Sequence, residues 1–109
     1  VADTLKVLAQ AFPLTAVLTD IYTVPGATSA AISSITICNQ GASKTTFRLS
    51  IAVAGAVDIG KQYIYYDVTL AGHDSFILTG GITLAATDVV RGYSASGNVS
   101  FNIFGVEVS

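Results

Sequence analysis

The stretch Phe47-Arg48-Leu49-Ser50-Ile51-Ala52-Val53 decides the fold class. Phe47, Leu49, Ile51 and Val53 point one way; Arg48, Ser50 and Ala52 point the other. Strict alternation of this kind is the mark of a strand with one buried face. The pattern repeats downstream, from Lys61 to Leu70. There Ile64, Tyr66, Val68 and Leu70 form the apolar row, with Tyr63, Tyr65, Asp67 and Thr69 opposite.

Working outward, Ser29 to Asn39 reads as a longer strand. Its apolar set changes parity from Ala30 and Ile32 to Ile35 and Ile37, which predicts a bulge at Ser33-Ser34. Thr19 to Val24 is a short strand ended by Pro25-Gly26. Ser75 to Thr79 is another, with Gly80-Gly81 read as a turn and Ile82 to Leu84 as a brief further strand. Val89 to Ser94 follows, with Val89, Arg91 and Tyr93 on one face. The last strand, Val99 to Val108, turns Val99, Phe101 and Ile103 inward. A parity change at Phe104-Gly105 is expected to bring Val106 and Val108 inward as well.

The first residues read as an edge strand or an extended arm, interrupted by Pro13. The expected organisation is an N-terminal arm over residues 1–12 and one β domain over 13–109. No segment sustains a helical period over a dozen residues. Turn signals about every ten residues mark an all-β, antiparallel β-sandwich. A jelly-roll-like arrangement is the preferred Greek-key version.

The composition excludes several classes. The chain has 109 residues, 51% of them hydrophobic and only 11% charged, with five basic and seven acidic side chains. It is too apolar for a disordered chain and has no basic excess for nucleic acid. The charge-free run from Ile21 to Ser43 contains Pro25, Gly26, Asn39 and Gly41, so it is no membrane-spanning helix. A membrane barrel of eight strands hardly fits the length, and no aromatic girdles are visible. The start, Val1 to Lys6, lacks the pattern of a signal peptide; Val1 is read as following a removed initiator Met.

Candidate chemistry is sparse. Cys38 stands alone on a strand and reads as a small buried hydrophobe. His73, Asp74 and Ser75 are consecutive loop residues, and a triad needs its members to converge in space. Asp67 and Asp74 flank one loop without recognisable substrate-positioning groups, and Asp74 and Asp88 read as turn residues. No His, Cys, Asp and Glu spacing suits a metal. Neither catalysis nor a cofactor is expected. Asn98-Val99-Ser100 matches a glycosylation acceptor but reads as a turn entering a strand. Arg48 and Arg91, the only arginines, are too few for a polyanion site.

Tyr63, Tyr65 and Tyr66 form the one aromatic cluster. With Tyr63 and Tyr65 opposite the apolar row, that face suits a subunit contact, ordinary cross-strand packing or a sugar.

Ile21-Tyr22-Thr23-Val24-Pro25, Ser33-Ser34-Ile35 and Ile37-Cys38-Asn39 have a familiar look. So do Tyr66-Asp67, Asp74-Ser75-Phe76 and Gly81-Ile82-Thr83-Leu84-Ala85-Ala86-Thr87-Asp88. Together, from about Leu8 onward, the chain resembles small virion proteins of tailed bacteriophages. The resemblance implies a structural protein of the particle and supplies no site residues. Small head-decoration, or cement, proteins of such phages are commonly β-rich and often trimeric on the capsid exterior. The expectation is therefore a capsid decoration protein, trimeric, bound to the major capsid protein, with no membrane and no nucleic-acid partner. Leu5, Val7 and Leu8 of the arm and Tyr63 and Tyr65 of the domain are the candidate contact residues. A tail, baseplate or fibre component is the alternative within the virion, and a carbohydrate-binding module the alternative outside it.

The missing charge supports assembly. Asp58, Lys61, Asp74 and Asp88 fall in or beside loops. Several strand faces outside the expected core carry Ala, Ser, Thr or Tyr, where a free monomer normally spreads charge.

Overall fold

A computed structural model describes residues 3–109; Val1 and Ala2 of the expected arm lie outside the described residues. The strands are β1 (Asp3–Ala11), β2 (Thr19–Thr23), β3 (Ser29–Asn39), β4 (Thr45–Ala52), β5 (Tyr63–Leu70), β6 (Ser75–Leu84), β7 (Val89–Ser94) and β8 (Val99–Val108). Two short 3-10 turns, 53–55 and 60–62, interrupt the β4–β5 connection. Sheet A has the order β1-β8-β3-β6 and sheet B the order β2-β7-β4-β5. All pairings are antiparallel. This is the two-sheet, double Greek-key order of a jelly roll.

The core lies between the sheets. Ile32, Ile35 and Ile37 of β3 and Phe101 and Ile103 of β8 meet Phe47 and Leu49 of β4 and Val90 of β7. Burial of these side chains is the main stabilising term. The connections gather at two ends. At one, Ala16 N donates to Ser94 O, Gln40 N to Asn98 O and His73 N to Gly41 O. Buried Asn39 ties that end together: its amide donates to the carbonyls of Ser43, Leu70 and Ala71. At the other, Asp88 accepts from the Ala54 and Ala85 amides at 2.9 Å each, the turn role expected of it.

The bulge expected at Ser33-Ser34 is present: β3 shifts register between Ile32 and Ser34 against both neighbours. Four expectations are corrected. First, of the edge strand and the extended arm that the start could form, residues 3–11 are the edge strand, hydrogen-bonded along β8. Second, β6 runs through Gly80-Gly81, because pairing with β3 resumes at Ile82 and the two glycines form a bulge opposite Ser33. Third, β8 keeps its parity; the bulges sit in its neighbours, at Leu8 and Ser33. Val106 therefore pairs with Leu5 and Ala31 and stays outside the core cluster. Gly105 is needed for another reason: a Cβ there would lie 2.2 Å from the Ala31 carbonyl oxygen. Fourth, Val53 leaves the β4 alternation and is exposed in the turn that follows.

Candidate functional site

The two outward faces of the sandwich differ in charge. Sheet B carries ion pairs on its outside. Arg48 Nε donates to Asp67 Oδ1 at 2.6 Å, and Arg91 Nε donates to Asp20 Oδ1 at 2.9 Å. The Arg48 guanidinium stands 4.1 Å from the Tyr66 ring centroid and 4.3 Å from that of Tyr93. Asp67 beside it raises its pKa further above the ordinary arginine value. The Tyr63 ring meets Tyr66 edge-on at 5.0 Å, and its hydroxyl donates to Asp58. Burial, then that bond, raises the Tyr63 pKa. The β4–β5 connection folds back over the same face: Arg91 donates to the Ala56 and Gly55 carbonyls, and Gly55 lies against Val89.

Sheet A is different. Its outward cross-strand rows read Leu5–Val106–Ala31–Thr83, then Val7–Phe104–Ser34–Thr79, then Gln10–Asn102–Thr36–Ile77, then Ser100–Cys38–Ser75. None of these residues is charged. Asp3 sits at the corner, opposite Val108. Lys6 and Glu107 lie on the alternate, inward parity and pair with each other at 2.8 Å. Leu5 is 85% exposed and Ile77 62%. An open groove of about 360 Å³ continues the face at one end, lined by Gln10, Phe12, Gln40, Ser100 and Asn102 among others.

The sequence-derived contact residues therefore part company. Leu5 and Val7 lie on the uncharged face. Leu8, at the β1 bulge, packs against the core. Tyr65 also packs inward, its ring 6.1 Å from Phe47 and 5.1 Å from Phe76. The expectation that Tyr63 and Tyr65 share a face is corrected, and Tyr66 takes Tyr65's place beside Tyr63. The cause is two register shifts of β5 against β4 together with Asp67 at φ 52°. Each shift inserts a residue and moves later side chains to the other face.

The loop residues weighed for catalysis are engaged in turns. Asp74 Oδ1 accepts from the Ser75 amide at 2.8 Å, and His73 occupies a left-handed position at φ 56°. No group of three or more His, Cys, Asp or Glu side chains placed to hold a metal occurs among the described residues. No helix of the described residues is long and apolar enough to cross a membrane.

No protein-family model matches the chain, and no curated protein matches it in sequence.

Proposed function

We propose that the protein is a non-catalytic structural subunit of a phage particle, a decoration protein that coats the capsid exterior as a homo-oligomer. The observation that carries this reading is the uncharged outward face of sheet A. Jelly rolls build viral capsid domains as well as lectins and cupins, so the fold is compatible with the role. A face of Ser, Thr and apolar side chains, whose Gln10 and Asn102 amides bond each other, avoids the desolvation cost of ions when it is covered. Burying it yields about 25 cal/mol per Å² of apolar area before association costs. The particle assignment itself rests on the sequence resemblance.

The test is co-sedimentation of purified protein with heads stripped of decoration. Wild type binds, and Val7→Lys with Thr36→Lys, which puts two charges on the face, does not. Heads that ignore the wild type, or immunogold label confined to the tail, reject the capsid assignment.

A carbohydrate-binding reading draws on the sheet B cluster, where Tyr66 is 59% exposed, its ring against Tyr63 and the Arg48 guanidinium. Its test is a glycan array: binding lost on Tyr66→Ala supports it, and an array without signal removes it.

A further inference from the structure

Sheet A ends on β6, which among the described residues pairs only with β3. One side of its backbone is therefore an open template for another strand. The other three edge strands carry features that oppose such pairing. β1 holds Asp3 and Lys6 and bulges at Leu8. β2 is five residues long, holds Asp20 and shifts register. β5 shifts twice and turns at Asp67 to φ 52°. β6 has no charged residue and no proline, and Ser75–Thr79 runs in unbroken register along β3. At the centre of that run stands Ile77, 62% exposed.

Gly80 and Gly81 add an independent observation. A Cβ at either meets nothing within 4 Å, and neither has a positive φ. The single chain requires glycine at neither position, although glycine inside a strand is destabilising. Glycine inside a strand marks a bulge, as it does here opposite Ser33, or a place where another backbone comes close.

We propose that Ser75–Thr79 pairs with the same segment of a second copy, antiparallel about a two-fold axis at Ile77. The two A sheets then form one continuous sheet. An edge paired about a two-fold axis is its own complement, since each donor meets the matching acceptor of the other chain. The two Ile77 side chains cover each other. In this register Gly80 and Gly81 lie opposite Asp74 and His73 of the second copy, where that chain turns at φ 56°. A side chain at either glycine would stand against the turn. The inference rests on the assembly reading and refines it: the unit is a dimer, where the resemblance implies a trimer.

Cysteine cross-linking tests the register in a Cys38→Ser background. Ile77→Cys forms a disulfide-linked dimer with itself. Ser75→Cys and Thr79→Cys cross-link when mixed and not when alone. Sedimentation gives a wild-type dimer that Ile77→Lys converts to a monomer, while thermal unfolding of the two is the same at concentrations below self-association. A trimer, or a dimer without the Ile77 cross-link, overturns the β6 pairing and leaves the assembly reading standing. A wild-type monomer at high concentration also overturns the pairing. Head co-sedimentation decides the function separately.

Discussion

The Tyr22 hydroxyl donates a 2.5 Å hydrogen bond to Glu107 Oε2, joining β2 of sheet B to β8 of sheet A. The same carboxylate accepts from Lys6 of β1 at 2.8 Å. Glu107 thus holds together three strands along one margin of the sandwich. Tyr22 is only 6% exposed, so its hydroxyl has little access to water as a substitute. Tyr22→Phe leaves Glu107 short of a donor and is expected to cost about 1.5–3 kcal/mol in urea unfolding, the range for bonds to charged groups.

The pH dependence of stability follows from the same cluster. The bonds from Lys6, then from Tyr22, lower the Glu107 pKa below its ordinary value of 4.5. Its contribution is full above 4.5 and falls as pH drops through the lower folded value, because the unfolded chain binds the proton first. The Tyr22 pKa is raised above 10.0, by burial and then by Glu107. That contribution is lost as pH rises above 10, where the unfolded tyrosine ionises first. Glu107→Gln should flatten the acid side of a stability–pH curve relative to wild type.

Arg48 holds the outside of sheet B through Tyr66, Tyr93 and Asp67. Its side chain is 24% exposed and Asp67's is 44%, so the ion pair is partly screened and contributes modestly. Each ring contact adds roughly 0.5–1 kcal/mol. Arg48→Ala should lower stability by about 1–2 kcal/mol. Arg48→Lys keeps the charge but loses the flat stack and the two-point bond, so it recovers less than half of that loss. Thermal unfolding at low and high salt separates the ionic part from the stacking part.

Gly105→Ala and Gly80→Ala are expected to move stability in opposite directions. The first drives a methyl toward the Ala31 carbonyl oxygen, 2.2 Å away. Overpacking of this kind costs about 1–3 kcal/mol. The second meets open space at a backbone conformation that alanine accepts. It should raise chain stability by about 0.4–1 kcal/mol through the unfolded state. Denaturant midpoints at low protein concentration, below self-association, make the comparison.

Ser50 is fully buried, and its hydroxyl has no hydrogen-bond partner among the described residues. An unpaired buried polar atom is a net cost. Ser50→Ala should therefore leave stability unchanged or raise it by up to about 1 kcal/mol, read from the same unfolding curves.

Local alternation made much of this fold legible. β3 occupies the span read from its sequence, and its parity change marked the bulge, because a doubly flanked strand must keep Ile32, Ile35 and Ile37 inward. β5 resisted such reading. Its side-chain directions depend on slips against β4, and Tyr-Ile-Tyr-Tyr is nearly as plausible facing either way. Gly80-Gly81 misled because local turn chemistry yields to a sheet neighbour that continues past it. Val106 misled because the extra residues that break the parity belong to β1 and β3. The candidate face was legible only as a shortage of charge. Its gathering on one sheet comes from strand order, which joins β1, β8, β3 and β6 across distant parts of the chain.

That uncharged face also has a kinetic consequence. Steering by opposite charges speeds encounter and makes it sensitive to salt. With Lys6 and Glu107 neutralising each other off the face and Asp3 only at its corner, sheet A offers an incoming surface little field to follow. Association through it should proceed at an unsteered rate, about 10⁵–10⁶ M⁻¹s⁻¹, and at nearly the same rate in dilute buffer as in concentrated salt.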